Sequence, residues 1–205
     1  MPWTPDEAVT FLQAAADDPL YPAFVLLMLY GMRRGEVLGL RWCDIYTEAE
    51  LIRVRQQLQR VQGQLILGPV KTRAGNRDLP LIGLAKDALS ARRQAQDTDR
   101  ANLGRCWANT GLVFTTRTGR PVEPRNLVRS FTRICENHGL RRVPIHKIRT
   151  MVATLLKKLN VPARDAQAIL GHAHISTTQQ IYTYVDEASR LDAVTRLNEL
   201  LSGAK

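Results

Sequence analysis

The sequence is short of cysteine, of long apolar runs and of acidic residues, and each shortage excludes something. Its three cysteines, Cys43, Cys106 and Cys135, are odd in number and lie 63 and 29 positions apart. That matches neither a disulfide framework nor a zinc-ligand spacing, so they read as core fillers in a reducing compartment. The longest apolar run, 24–32, is nine residues with Gly31 inside it, about half of what a bilayer-crossing helix needs. It predicts a buried helix. No charged leader followed by a small-residue cleavage site opens the chain, which leaves secretion unsupported. Repeats, low-complexity tracts and linkers are also missing. With 205 residues, 44% hydrophobic and 23% charged, the composition is that of an ordinary globular chain and the length that of one large domain.

The shortage of acid says most. Lys and Arg number 29 against 19 Asp and Glu, a net charge of +10. A balance this basic points to a polyanionic partner, with nucleic acid first. Membrane surfaces are also acidic, but docking there calls for a basic amphipathic helix with aromatics on its apolar face, and no segment shows one.

Local signals outline an α+β fold, mostly helical with a small three-stranded antiparallel sheet. Thr4-Pro5-Asp6-Glu7 has a capping residue, a proline at the first helical position and a glutamate that reaches back, which together start a helix. Residues 22–30 are apolar nearly all round, and Gly31 ends them before a short helix carrying Arg33, Glu36 and Val37. From 51 to 82 the pattern alternates, with candidate strands around Ile52 and Val54, from Leu65 to Val70, and over 77–82, and a turn at Gly63. A polar, solvated helix over 85–96 and a loop over 97–111 follow. Pro124 opens a helix with Leu127, Phe131, Ile134 and Cys135 on one face, ended by Gly139. Residues 146–159 are the clearest amphipathic stretch, then 162–170 with Gly171 as a stop. Ser176 and Gln179 form a capping box before Tyr182, and Leu191, Val194, Leu197 and Leu200 mark a last helix.

Certain polar residues interrupt this apolar scaffold. Arg33 sits at the end of the apolar helix; taken alone it is a solvated arginine. His146 and Arg149, at i and i+3, share one face of a first helical turn. His172 follows the Gly171 stop, where it either caps the helix or donates into a site. Lys71, with Arg73 and Arg77 nearby, lies between the last two candidate strands and by itself reads as part of a solvated basic hairpin. Tyr182 and Tyr184 follow in a polar segment, where an isolated tyrosine is usually structural. Together they suit one chemistry. Two guanidiniums can fork the non-bridging oxygens of a phosphodiester and neutralise its transition state. A tyrosine hydroxyl can attack phosphorus and store the bond energy covalently, and a lysine can protonate the leaving 5′ oxygen.

At these residues the sequence resembles the tyrosine recombinase (phage integrase) family and is similar to integrases of actinobacterial phages and mobile elements. The motifs run in order from Trp3 to about Asp186: GMRRGEVLGLRW, VKTRAGNRDLPL, IHKIRTMVATLL, ILGH and ISTTQQIYTYV. The resemblance implies site-specific DNA integration and excision for a phage or mobile element through a 3′-phosphotyrosine, without metal, cofactor or ATP. It implies Arg33 and Arg149 as the activating pair, Lys71 as the hairpin general acid, His146 and His172 as the site histidines and Tyr182 as the nucleophile. Glu36 would support the site from behind, with Arg34, Arg73, Arg77 and Lys147 on the DNA. The box HKIRTM departs from the common HDLRHT, placing Lys147 and Thr150 where the family carries an acid and a histidine. His172 to Tyr182 is ten positions rather than nine. Tyr184 points about 200° away from Tyr182 on a helix.

The resemblance further implies one catalytic domain over 1–205, without the N-terminal core-binding domain of the family. A helix over about 187–201 would pack on a neighbouring subunit or in cis. The partners implied are double-stranded attachment-site DNA and an accessory bending protein, with a homotetramer on DNA, a monomer alone, and a place in the bacterial cytoplasm on the nucleoid. Three rivals remain: a non-catalytic DNA-binding module, a metallohydrolase using His146, His172 and His174, and a type IB topoisomerase with the same nucleophile chemistry.

Overall fold

The structure, a computed structural model, describes residues 2–172. Its helices are α1 (Pro5–Ala14), α2 (Tyr21–Tyr30), α3 (Arg34–Leu38), α4 (Gly83–Leu103), α5 (Pro124–Asn137), α6 (Lys147–Lys158) and α7 (Ala163–Leu170). Its strands are β1 (Ile45–Tyr46), β2 (Leu51–Val54), β3 (Gln56–Val61), β4 (Gln64–Pro69) and β5 (Arg77–Pro80). The fold class is α+β, as expected.

Helix α2 is the axle. Eight of its ten residues are buried, because a helix apolar on every side can only be satisfied by neighbours all round. Helices α1, α3, α4 and α6 pack around it. One end of the core is aromatic: Phe11 meets Phe24 edge-on with centroids 5.2 Å apart and lies 4.8 Å from Phe131. Trp3 stacks on Phe131 at 5.3 Å and donates its indole N–H to the Arg141 carbonyl at 2.8 Å. The capping box at Thr4 and Glu7 forms as its residues dictate, and α5 begins at Pro124.

Four expectations are corrected. The three-stranded antiparallel sheet exists, but it is β1-β2-β5; the apolar stretch from Leu65 belongs to β4, which pairs with β3 in a separate two-stranded ribbon. The segment 97–111 is not all loop, since α4 runs to Leu103 before a 3-10 turn over Gly104–Cys106. Nor is α4 simply solvated: Ala85, Ala88, Leu89, Arg92 and Gln96 form a buried stripe at helical spacing. Finally, only Cys135 is a core filler, and Cys43 and Cys106 are exposed. Burial pushes the Cys135 thiol up to about 11. Among the described residues no helix is long and apolar enough to cross a membrane.

The expected short helix through Tyr182, the tyrosines Tyr182 and Tyr184, His174 and the segment 187–201 lie outside the described residues.

Candidate DNA-cleavage site

Two helix ends build the site. Helix α2 stops at Gly31, whose φ of +58° is left-handed backbone. A Cβ there would lie 2.6 Å from a Leu170 methyl carbon and 3.4 Å from Val152, so the end of α2 is wedged between α7 and α6. Helix α7 stops at Gly171, with φ +67°, where a Cβ would meet the Ala74 carbonyl and Arg77 Nη1, each at 2.8 Å. Glycine is required at both stops by backbone handedness and by lack of space. The loops leaving them carry Arg33 and His172.

These ends bring the predicted pair together. Arg149, from the first turn of α6, donates from Nη1 to the Gly31 carbonyl at 2.7 Å and from Nε to His172 Nε2 at 3.1 Å. Arg33 donates from Nη2 to the Gly171 carbonyl at 3.2 Å and from Nη1 to Glu36 Oε1 at 2.6 Å. Arg149 is thus held at the glycine stop that precedes Arg33, and Arg33 at the glycine stop that precedes His172. Among the described residues Arg149 Nη2 is buried without a hydrogen-bond partner, and a donor in that state favours an incoming anion.

Beneath them lies Glu36, 1% exposed. Its carboxylate accepts from the Arg33 backbone N–H at 3.0 Å and from Arg77 Nη2 at 3.0 Å. Burial raises its pKa, but the charge of Arg77 and the hydrogen bonds from Arg33 and Arg77 outweigh that, leaving it below the usual carboxylate range. Arg149 is shifted the other way. Burial, then the neighbouring charge of Arg33, with Arg77 adding a smaller push against the pull of Glu36, bring it down to about 9. Burial, then Arg149, Arg33 and Arg77, bring His172 down to about 4. At neutral pH its ring is therefore uncharged, with Nε2 as the acceptor of the Arg149 bond and the proton on Nδ1.

Arg33 and Arg149 open onto a cleft of about 670 Å³, which Arg34, Arg60, Arg125 and His146 also line. Five arginines face it against one glutamate, Glu123. His146 and Arg34 are exposed there. Lys147, Lys71 and Arg73 are exposed too but do not line the cleft. Arg77 corrects the sequence reading: it is 8% exposed, ion-paired to Glu36 and bonded to two backbone carbonyls, so it is not a surface hairpin arginine. The signal for this was present, since in β5 Arg77 shares the inward face with Leu79.

Sequence reasoning missed Arg60, Glu123 and Arg125. Arg60 on β3 grips Glu123 at the start of α5 with two parallel bonds, Nε to Oε1 at 2.7 Å and Nη2 to Oε2 at 2.6 Å, closing the far wall of the cleft across 63 positions of sequence. No local pattern reports a contact of that range. Among the described residues no group of three or more His, Cys, Asp or Glu is placed to hold a metal ion.

Comparisons with known proteins bear on the family and the fold. The chain is 29% identical to a tyrosine recombinase XerC-like protein of Caldanaerobacter subterraneus subsp. tengcongensis, over 98% of this chain and 58% of that relative. It is 31% identical to an integrase of Saccharopolyspora erythraea over 71% of this chain and 33% of that relative. It therefore spans a third to somewhat over half of the length of these relatives. Among solved structures, the Tn1549 transposon integrase in complex with a circular intermediate DNA superposes with a TM-score of 0.80, 22% identity, and 96% of this chain on 66% of that one. XerA recombinase gives 0.71 at 22% identity, with 96% and 64% covered. Both share the fold. The model of the phage integrase family matches residues 3–189, and this chain belongs to that family.

Proposed function

We propose that the chain is the catalytic domain of a site-specific DNA recombinase that cuts and rejoins strands through a 3′-phosphotyrosine, with no metal or ATP, to integrate and excise a phage or mobile element. The observation that carries the reading is the convergence of Arg33 and Arg149 at the cleft, with Arg149 Nη2 buried and, among the described residues, unpaired. A phosphodiester seated there takes charge-assisted bonds from both guanidiniums, and its transition state gains most from them. The Tyr182 oxygen forms the new bond to phosphorus as the bond to the 5′ oxygen breaks. The tyrosine proton passes to His146, and the leaving oxygen takes a proton from Lys71. Rejoining is the reverse. His172, neutral and bonded to Arg149, fixes that guanidinium's orientation.

The same reading makes attachment-site duplex DNA the substrate, a homotetramer the assembled form, a DNA-bending protein the accessory, and the bacterial host cytoplasm the place of action. Arg34 and Arg125 supply phosphate contacts, so affinity falls steeply between about 50 and 200 mM salt. The deciding experiment is incubation with supercoiled plasmid in excess EDTA, an SDS quench, and mapping of the protein–DNA adduct by mass spectrometry. An adduct on Tyr182 is expected. DNA binding without any adduct would favour the non-catalytic binding module.

A further inference from the structure

Arg77 ties together three segments around this site. Its guanidinium donates from Nε to the Ile169 carbonyl at 2.8 Å, from Nη1 to the Gly75 carbonyl at 3.0 Å and from Nη2 to Glu36 Oε2 at 3.0 Å. These three acceptors belong to three segments: the last turn of α7, the turn after Lys71, and α3. The Gly75 bond matters because that turn is compact. Gly75 N–H donates to the Thr72 carbonyl at 2.9 Å, and a Cβ on Gly75 would lie 3.1 Å from Val70 Cβ. Val70 and Thr72 are the two neighbours of Lys71. Holding Gly75 therefore holds both sides of Lys71. The turn also abuts α7: a Cβ on Gly171 would lie 2.8 Å from the Ala74 carbonyl, next to the loop bearing His172.

We infer that Arg77 is a positioning residue that sets the Lys71 turn against the end of α7, so that the lysine meets the leaving oxygen of a phosphate held by Arg33 and Arg149. A guanidinium suits this task, because its rigid planar fork reaches three acceptors in fixed directions and an ammonium does not. Its positive charge at the carboxyl end of α7 also faces the negative end of that helix. The inference rests on the assignment of Lys71 as the acid, and the test separates the two.

Single-turnover cleavage is measured on two DNA substrates, one with the ordinary 5′ bridging oxygen at the scissile phosphate and one with sulfur there. As the P–O bond breaks, the alkoxide takes a proton from the lysine. A thiolate leaves without one, since thiols ionise near ~8.5. Lys71→Ala should lose about 10²-fold or more on oxygen, the scale of general-acid catalysis, and approach the parent on sulfur. Arg33→Ala should be slow on both. Arg77→Met should behave like Lys71→Ala: slow on oxygen, restored to within about tenfold on sulfur. Arg77→Lys keeps a cation beside Glu36 and guards against loss of folding in the Met variant; it should show the same rescue with a smaller change in melting temperature. A loss that sulfur does not restore in a folded Arg77→Lys protein, or cleavage of the oxygen substrate within threefold of the parent, overturns the inference while leaving Lys71 as the acid. Failure of sulfur to rescue Lys71→Ala removes Lys71 from that role, and the Arg77 inference falls with it.

Discussion

Among the described residues two arginine centres, one buried around Arg92 and one half-buried around Arg149, are built on opposite plans. Around Arg92, on α4, every partner is neutral. Its Nε donates to the Val113 carbonyl at 2.9 Å and its Nη2 to the Thr115 carbonyl at 2.9 Å and hydroxyl at 3.1 Å. Gln96 joins in beside it, bonding the Leu112 carbonyl, the Thr115 hydroxyl and the Trp42 indole. Around Arg149 the neighbours among the described residues are Arg33, Arg77 and His172 with the carboxylate of Glu36, and among those residues one donor has no partner. Burial lowers the pKa of both arginines, but only Arg149 is lowered further by like charge. A satisfied arginine among carbonyls holds loops in place; crowded cations with a spare donor favour negative charge beside them.

The sharpest way to break this contrast is to delete each centre. Arg33→Ala or Arg149→Ala should lower cleavage by ~10³ to 10⁵, the range for arginines that stabilise phosphoryl transfer. Urea melts should barely move, because removing Arg149 also relieves repulsion. A variant cleaving within tenfold of the parent would remove that arginine from the site. Gly171→Ala comes next. Its methyl must enter a left-handed backbone and press on the Ala74 carbonyl and Arg77, and misplacement of the loop by about 1 Å can cost about 10²-fold in cleavage. Parental rates in that variant would show that the loop tolerates displacement.

Arg92→Met should do the reverse of the first pair. It strips donors from the buried carbonyls of Val113 and Thr115 and should lower stability by ~2 to 4 kcal/mol in urea titration, with cleavage by the folded protein unchanged within about threefold. Loss of cleavage without loss of stability would erase the distinction between the centres. The last effect is with pH and leaves cleavage at neutral pH aside. His172 sits near 4 in the fold against an ordinary 6.5, so the unfolded chain binds the proton first. Its contribution to stability is complete above about 6.5 and is lost as pH falls toward about 4. His172→Gln should flatten that part of a stability-versus-pH curve, and an unchanged slope would place the titration elsewhere.

The parts legible from sequence were those governed by local rules. The Thr4 cap, the Pro124 start, the all-round apolar α2 and the glycine stops at 31 and 171 follow from backbone conformation and helical period. Arg33 and His172 stood out because they follow those stops, and Arg149 because it shares the first turn of an amphipathic stretch with His146; their roles came only with the family resemblance. Illegible parts depended on tertiary pairing. Asp97, Thr98 and Asp99 look like a turn, yet α4 continues through them, with Arg93 and Asp97 paired one turn apart at 3.6 Å. Which strand pairs with which was also hidden, since β3 is mostly polar and its partner is chosen by the Gln62–Gly63 turn, both residues having positive φ. Arg77 was missed because charged residues are assigned to the surface by default, and the Arg60–Glu123 grip because it is an exposed bond between residues 63 positions apart.

The Trp3 clasp has a kinetic consequence. Its bond to the Arg141 carbonyl joins positions 138 apart, and its ring is stacked on α5. Loop closure of that length becomes affordable only once the intervening chain is already compact, so the clasp should shut late in folding and open early in unfolding. The indole would then report, by fluorescence, when the two ends of this 138-residue span separate, which times the opening of the core's aromatic end.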